Sequence, residues 1–271
     1  MKSLKIALLF ILTIAFLVSS VACGQTSIET TKAQDSIEVK PVTLTVSAAS
    51  SLKDAMEEIK TAYAKEKPNV TITYNFGASG SLQQQIEQGA EADLFISAAL
   101  KQMDALKDKG LIIEDTRRNL LGNRLTLVIP KDSSGVSDFK DLTGEKIKKI
   151  GLGEPKSVPA GQYAEEVLTK LNLLDALKPK VVYGKDVKEV LSWVETGNAD
   201  AGVVYETDAK ASDKVKIATV APEDSHKPIL YPSAVLKGSK NADAAKDFIN
   251  YLYSEKAKPV FERYGFSFIA K

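Results

Sequence analysis

The chain has 271 residues, 44% hydrophobic and 26% charged, so it can bury the core of one or two domains. Its 36 basic and 35 acidic residues nearly cancel, which argues against a nucleic-acid surface, because such a surface shows clustered Lys and Arg. A single cysteine excludes a disulfide within the chain. The lack of Cys/His clusters argues against a zinc site.

The N-terminal segment predicts export. An apolar run at residues 6–18 follows two lysines and is shorter than the about 20 residues that cross a membrane, so residues 1–22 are typical of a signal peptide. Cys23 follows a small residue, as in bacterial lipoproteins, although Ser20 stands where their leucine usually lies. We expect lipid attachment at Cys23, with an ordinary signal peptide as the alternative. Residues 23–40 are polar without apolar periodicity, which indicates a flexible tether.

From residue 42 onward, strands and helices alternate, which predicts an α/β fold with mainly parallel sheets. The first helix has the clearest pattern, because Leu52, Met56, Ile59 and Tyr63 recur at helical spacing. Strands are predicted at residues 42–47, 70–76, 92–98, 124–130, 149–153, 181–183, 201–205 and 227–237, and helices at 52–67, 81–88, 101–109, 161–172, 187–196, 241–253 and 255–264.

The element order predicts two lobes. We expect residues 41–123 with 233–271 in the first lobe and residues 124–232 in the second. No Gly/Ser linker separates them, so the crossings are expected to be strands that act as a hinge. In α/β sheets, ligands bind beyond the carboxyl ends of strands. This rule directs attention to the turns that follow the predicted strands.

Four short turns lie where a strand or loop leads into a helix. They are AASSL at 48–52, FGASGSL at 76–82, EPKSVPAG at 154–161 and GKDV at 184–187. In addition, Tyr205 ends the apolar strand at 201–205. A helix N-terminus offers unpaired N–H groups and about half a positive charge, which favours anions. Several such turns together predict a cleft for a small oxyanion.

Each of these residues also has a purely structural interpretation. Ser51 and Ser79 could serve as helix N-caps or turn residues. Pro159 suits the first turn of a helix, and Asp186 is a natural N-cap that would leave the Val187 N–H exposed. Tyr205 could be a core residue with a satisfied hydroxyl. Taken singly, a serine is more often a cap than a ligand.

Seven separated blocks resemble, in order, the molybdate-binding proteins of bacterial ABC importers, and the resemblance covers essentially all of residues 42–271. The blocks are AASSLKDAMEEI (48–59), FGASGSLQQQIEQGAEADLFISA (76–98), LLGNRLTLV (120–128), GEPKSVPAGQYA (153–164), GVVYETDA (202–209), PEDSHKPILYP (222–232) and FERYGF (261–266). The resemblance implies a two-lobed clamshell of the second type of periplasmic binding protein. In that fold two mixed sheets, flanked by helices, are joined by hinge strands.

The resemblance also implies a ligand set. The oxyanion is expected to bind the hydroxyls of Ser51 and Ser79, the backbone N–H groups of Ala160 and Val187, and the hydroxyl of Tyr205. Backbone N–H groups at the two serines would add donors. Ser51 is preferred to its neighbour because the family's serine directly precedes the leucine. No metal is expected at these five residues apart from that of the molybdate oxyanion, and no cofactor is expected.

The implied function is high-affinity extracytoplasmic binding of molybdate, and of tungstate with it, for delivery to the transmembrane subunits of an ABC permease. We expect a monomer without enzymatic activity or nucleic-acid partners. It would be lipid-anchored at the outer face of the cell membrane, or periplasmic if the signal is cleaved without acylation. The alternatives are a sulfate-type oxyanion-binding protein and a scaffold lipoprotein without ligand.

A serine hydrolase is disfavoured. Residues 50–53 fit S-x-x-K, but residues 137–140 fit it too, and the accompanying S-D-N and K-T-G motifs are absent. The only histidine, His226, lies in a polar stretch and is expected at the surface or at the edge of a lobe.

Overall fold

The computed structural model describes residues 40–269, which belong to one compact unit. The predicted signal peptide, Cys23 and the tether up to residue 39 lie outside the described residues. No helix within residues 40–269 has the length and apolar character needed to cross a membrane.

The described chain forms two mixed sheets with helices packed on them. The strands are β1 (Val42–Ala49), β2 (Val70–Gly77), β3 (Leu94–Ile96), β4 (Arg118–Gly122), β5 (Leu125–Pro130), β6 (Ile150–Gly153), β7 (Val181–Gly184), β8 (Ala201–Tyr205), β9 (Val215–Val220), β10 (Leu230–Val235) and β11 (Ser267–Phe268). The helices are α1 (Lys53–Glu66), α2 (Ser79–Glu87), α3 (Leu100–Asp108), α4 (Pro159–Lys170), α5 (Leu174–Leu177), α6 (Val187–Glu195), α7 (Glu206–Lys210), α8 (Ala242–Leu252) and α9 (Lys258–Arg263).

The first sheet has the strand order β11-β4-β10-β3-β1-β2. Strand β1 pairs in parallel with β2 and β3, whereas β10 pairs antiparallel with β3 and β4. The β1–β2 register matches Ala49 with Gly77, so the two strands end side by side. The turns that carry Ser51 and Ser79 therefore begin next to each other.

The second sheet has the order β7-β6-β8-β5-β9. Strands β7, β6 and β8 are parallel, and β5 runs antiparallel between β8 and β9. Gly153 of β6 is matched with Gly184 of β7, so these strands also end together. The segments leading into α4 and α6 start from adjacent positions at this edge.

The chain crosses between the sheets twice within the described residues. The first crossing is only residues 123–124, which connect β4 directly to β5. The second comprises residues 221–229 and contains a 3-10 turn at Glu223–Ser225. Strand β10 begins at residue 230 and pairs only within the first sheet, so the chain returns to that sheet slightly before the expected residue 233.

Apolar periodicity explains the major elements. The predicted face of α1 is buried at Met56, Ile59 and Tyr63, and Leu52 is buried in the 3-10 turn at Ser50–Leu52 that precedes the helix. Strand β5 is buried along nearly its whole length, as expected for a strand flanked on both sides. The core is formed by such faces, each packed against its sheet.

The sequence analysis was wrong on two points. The alternation of strands and helices predicted mainly parallel sheets, whereas both sheets are mixed, as the family resemblance implied, because β4, β5, β9, β10 and β11 make antiparallel pairs. The sequence analysis also missed β4, β9, β11, α5 and α7. Strands β4 and β11 are short and partly exposed, and β9 is only half-buried along most of its length, so none has a clear apolar pattern.

Candidate functional site

A small cavity lies where strand ends of the two sheets meet. The space in it that is open to the centre of a water-sized sphere measures about 10 Å³, and the room for a bound group's outer atoms comes on top of that figure. All five predicted ligand residues line it. The full lining is Ala49, Ser50, Ser51, Gly77, Ala78, Ser79, Ala98, Val158, Pro159, Ala160, Val187 and Tyr205. The structure therefore brings together residues that are up to 154 positions apart in the chain, from Ser51 to Tyr205.

The two serines of the first lobe are not helix caps. Neither α1 nor α2 has a side-chain capping hydrogen bond, and Ser79 is the first residue of α2 rather than its cap. The Ser79 hydroxyl instead accepts a hydrogen bond from the Ala98 N–H at 2.9 Å. The Ser51 hydroxyl lies 2.9 Å from the Tyr231 hydroxyl. The capping interpretation of these serines is therefore excluded.

Helix α4 brings the Ala160 N–H to the cavity. Its first residue is Pro159, which has no N–H, so Ala160 carries the first free donor of the helix. A close approach of glycines holds the helix on β6. A Cβ on Gly161 would lie 2.0 Å from the Gly153 carbonyl oxygen, so only glycine permits this packing.

Helix α6 presents the Val187 N–H in the predicted manner. Asp186 caps the helix by accepting a hydrogen bond from the Glu189 N–H at 2.9 Å. Val187 is the first helical residue, and its N–H has no acceptor within the helix. The cap thus stabilises α6 while leaving a donor at the cavity.

Tyr205 is the most informative residue of the site. Its side chain is 1% exposed, and its hydroxyl makes no hydrogen bond to any residue within 40–269. Burial raises the pKa of this phenol well above its ordinary value, so the hydroxyl keeps its proton. A buried, unpaired hydroxyl costs about 1–3 kcal/mol. Its place in the cavity wall makes it a donor for a bound group.

No charged side chain lines the cavity among the described residues, but an ion-pair cluster lies close by. The Lys188 ammonium is 2.8 Å from Asp54 of α1 and 3.2 Å from the fully buried Asp208 of α7. Burial raises the pKa of Asp208 to about 6, although Lys188 opposes this rise. Burial alone would lower the pKa of Lys188, but the two carboxylates outweigh it and raise the pKa.

Two of the contacts between the lobes involve direct neighbours of the cavity residues. The Gly80 N–H of α2 donates to the Ser157 carbonyl oxygen at 2.9 Å, and a Cβ on Gly80 would lie only 2.6 Å from that oxygen. The Lys188–Asp54 ion pair is the second contact. The contacts that hold the lobes closed around the cavity thus include one backbone hydrogen bond and one ion pair.

Sequence reasoning missed two residues behind the cavity. Tyr231 is fully buried and touches Ser51, and the Asn123 side-chain amide donates to the Tyr231 hydroxyl at 3.2 Å. Both lie in blocks that carried the family resemblance, but no local pattern marks them as partners of Ser51. His226 and Lys53 do not line the cavity. Lys53 is exposed, unlike the buried lysine an S-x-x-K hydrolase would need.

A resident metal finds no support in this part of the chain. Within residues 40–269, no three His, Cys, Asp or Glu side chains are grouped so that they could hold a metal ion. The donors that line the cavity are hydroxyl and N–H groups, which bind anions rather than cations.

Two lobes around a small cavity lined with hydrogen-bond donors define a solute-binding protein of the clamshell type. The chain belongs to the family of bacterial extracellular solute-binding proteins, whose family model matches residues 44–267. As a member of that family, it is an exported protein.

Individual relatives agree with this class. The molybdate-binding protein ModA of Haemophilus influenzae is 45% identical over 229 residues, which cover 83% of this chain and 89% of that protein. YvgL of Bacillus subtilis, provisionally named an ABC transporter substrate-binding lipoprotein, is 52% identical over 84% of this chain and 87% of its own length. The structure of the periplasmic molybdate-binding protein of Azotobacter vinelandii matches with a TM-score of 0.74 at 25% identity, covering 82% of this chain and 98% of that one. The resemblance to molybdate-binding proteins and the predicted fold class are confirmed.

Proposed function

We propose that this chain binds molybdate, and tungstate with it, and delivers the oxyanion to an ABC permease in the membrane. The observation that carries the proposal is the buried Tyr205 hydroxyl, which lacks a partner among residues 40–269 and lines the same cavity as four other donor residues. The names of the relatives support molybdate as the ligand and an ABC transporter as the destination.

The donor set suits a fully deprotonated tetrahedral dianion. Molybdate at neutral pH accepts hydrogen bonds and donates none, and the cavity offers hydroxyls from Ser51, Ser79 and Tyr205 with N–H groups from Ala160 and Val187. Hydrogen phosphate carries a proton that would find no acceptor, and such an unpaired buried group costs about 1–3 kcal/mol. Sulfate has no such proton, so only the dimensions of the cavity can reject it.

Closure of the two lobes strengthens the binding. Ser51 and Ser79 belong to the first lobe and the other three donors to the second, so the anion completes its hydrogen bonds only when the lobes meet. Burial then removes competing water and strengthens each contact. The anion itself becomes part of what holds the lobes together.

The proposal also includes the oligomeric state of the exported chain and its attachment to the membrane. The exported chain acts as a monomer without a cofactor and without enzymatic activity, and a lipid on Cys23 keeps it at the outer face of the membrane. The lipoprotein name of the Bacillus subtilis relative supports this anchor. Labelling with a radioactive fatty acid tests it, since Cys23→Ser should abolish incorporation.

Isothermal titration of the chain without residues 1–22 tests the ligand. We expect tight one-to-one binding of molybdate and tungstate, and phosphate binding too weak for direct titration to detect, so that it is measurable only by competition at high phosphate concentration. Tyr205→Phe should weaken molybdate binding by roughly 10- to 100-fold, the loss expected for a hydrogen bond to a charged group. It should leave thermal stability unchanged or raised, because the lost hydroxyl has no partner within residues 40–269. Preferential sulfate binding would reassign the ligand, and silence from all four anions would contradict the proposal.

A further inference from the structure

The hydroxyl of Ser51 belongs to a buried hydrogen-bond chain whose direction is fixed at its far end. The Arg124 N–H, which can only donate, bonds to the Asn123 Oδ1 at 2.8 Å. This contact turns the Asn123 Nδ2, also purely a donor, toward its two other partners. Those partners are the Tyr231 hydroxyl at 3.2 Å and the Thr207 hydroxyl at 2.9 Å.

The direction passes from Asn123 to Ser51. Since the Tyr231 oxygen accepts from Asn123, its own proton requires an acceptor, because buried hydroxyls are nearly always paired. The Tyr205 ring lies beside Tyr231, but the Tyr205 hydroxyl makes no hydrogen bond of acceptable geometry within residues 40–269. The Ser51 hydroxyl at 2.9 Å is therefore the acceptor that the geometry of the described residues supports. Tyr231 therefore donates to Ser51, and the Ser51 proton is left to point into the cavity.

Ser79 has the same arrangement built from a different donor. Its hydroxyl accepts from the Ala98 N–H at 2.9 Å, and a backbone N–H cannot accept in return. The protein thus occupies an acceptor position on both serine oxygens and leaves both protons for the ligand. The Tyr205 hydroxyl, with no partner within residues 40–269, completes a set of three donors.

We propose that Tyr231 and Asn123 are specificity-determining residues, which hold the Ser51 hydroxyl as a donor and so exclude oxyanions that carry a proton. This inference rests on the proposed function, since it needs an oxyanion in the cavity. Neither residue lines the cavity, so both act through Ser51. Their role is to set the direction of a hydrogen bond rather than to make one to the ligand.

The first test is a double-mutant cycle in molybdate affinity on the chain without residues 1–22. Tyr231→Phe keeps the ring and leaves the Asn123 amide paired with Thr207, so the change is confined to the link with Ser51. We expect Tyr231→Phe to weaken molybdate binding by roughly 2- to 10-fold, as for one neutral hydrogen bond. Ser51→Ala should cost clearly less in the Tyr231→Phe background than in the wild type, because the two act as one unit.

The second test compares sulfate with hydrogen phosphate as competitors of molybdate at mildly alkaline pH. The two ions then have the same charge and similar size but differ by one proton. Tyr231→Phe should narrow the preference for sulfate by roughly 2- to 10-fold, because the Ser51 hydroxyl becomes free to accept. Asn123→Asp should narrow the preference for sulfate further. The Tyr231 hydroxyl would then donate its hydrogen bond to the carboxylate and accept one from Ser51, so the direction of the hydrogen-bond chain would be reversed. Its added charge affects both ions equally.

Tyr253→Phe is the matched control. The Tyr253 hydroxyl is also bonded to a serine, Ser233 at 2.9 Å, and to the Arg118 carbonyl oxygen, but it does not line the cavity. Tyr253→Phe should change neither the molybdate affinity nor the preference for sulfate over hydrogen phosphate. If the wild type binds molybdate but the Ser51 and Tyr231 effects simply add, or if the preference for sulfate is unchanged, the inference is wrong. A wild type that binds no oxyanion would overturn the proposed function as well.

Discussion

The two lobes present donors to the cavity by different means. The first lobe uses the side-chain hydroxyls of Ser51 and Ser79, each held from behind by a further protein group. The second lobe uses backbone N–H groups at the starts of α4 and α6, held by Pro159 and by the Asp186 cap, with Tyr205 as its side-chain donor. Side-chain donors disappear on substitution, whereas backbone donors persist. Mutation should therefore affect the two lobes unequally.

Substitution of the serines should give the largest effect. Ser51→Ala and Ser79→Ala each remove a hydrogen bond to a charged ligand, a loss of about 1.5–3 kcal/mol, or roughly 10- to 150-fold in molybdate affinity by titration calorimetry. Val187→Ala is the matched change in the second lobe. It keeps the N–H, so affinity should stay within about threefold even though a buried side chain is shortened.

A Val187→Ala variant as weak as Ser51→Ala would remove the contrast between the lobes. It would mean that the side chain of Val187, rather than its N–H, determines binding. Thermal unfolding of each unliganded variant separates that result from a general loss of stability.

The next effect concerns the closed state rather than a donor. Gly80→Ala suits helix α2 by itself, since alanine is the better helix former. Its Cβ would lie 2.6 Å from the Ser157 oxygen of the other lobe, so closure is obstructed. Overpacking costs about 1–3 kcal/mol, so we expect a roughly 5- to 150-fold weaker molybdate affinity with unliganded thermal stability equal or higher.

Gly238→Ala is the control for this substitution, because a Cβ there meets nothing within 4 Å. It should leave affinity unchanged. Unaltered affinity in Gly80→Ala would show that the lobes bind the anion without meeting at the Gly80–Ser157 contact.

A smaller effect is expected at the ion pair between the lobes. Asp54→Asn breaks the contact with Lys188 but leaves Lys188 beside Asp208. The Asp54 side chain is 47% exposed, so the pair contributes about 0.2–1 kcal/mol, or roughly 1.5- to 5-fold in affinity. Wild-type affinity should depend weakly on salt, because no Lys or Arg lines the cavity in the described chain.

The control is Asp175→Asn, which breaks the Lys178 pair of 2.8 Å inside the second lobe. At each salt concentration, low or physiological, this variant should bind molybdate with the same affinity as the wild type. A steep loss of wild-type affinity with salt would contradict a site made of neutral donors.

Local sequence patterns predicted one lobe's donors better than the other's. The Asp186 cap is a signal within a single turn, so the N–H group of Val187 could be placed from sequence. The helix after Pro159 was predicted only from residue 161, whereas it begins at Pro159, so the Ala160 N–H was named by the family resemblance alone. The serine hydroxyls could not be oriented, because Ser51 depends on Tyr231, 180 residues away. The family resemblance identified Ser51 as a ligand but gave no information on its partner.

The same distance explains the missed contacts between the lobes. Gly80 lies in the first turn of α2 in one lobe, and Ser157 lies in the loop before α4 in the other. Apolar periodicity within each segment gives no information on how the two lobes meet. Periodicity did predict the long elements, such as the buried face of α1, because that pattern is local. Strands β4, β9 and β11 were missed because each buries too few residues to produce a clear apolar pattern.

The smallest effect on affinity is expected at Asp208, whose buried carboxyl acts on stability instead. Its pKa is about 6 in the folded chain, against an ordinary value of 3.8. Between these values the folded state binds more protons than the unfolded state, so the contribution of Asp208 to stability falls as pH rises from about 4 to about 6. Above that range the loss of stability due to Asp208 is constant.

Asp208→Asn removes the carboxyl and should therefore match the wild type near pH 4 and exceed its stability at neutral pH. Urea unfolding at several pH values in this range measures the difference in unfolding free energy between the variant and the wild type. Other carboxylates, such as Glu206, are present in both proteins, so their contributions cancel. Asp132→Asn, at an exposed position, is the control for removing a carboxylate away from the cluster. The opposite trend, in which Asp208→Asn becomes less stable relative to the wild type as pH rises to neutral, would contradict this prediction. It would mean that the attraction of Lys188 outweighs burial, so that the ionised Asp208 stabilises the fold.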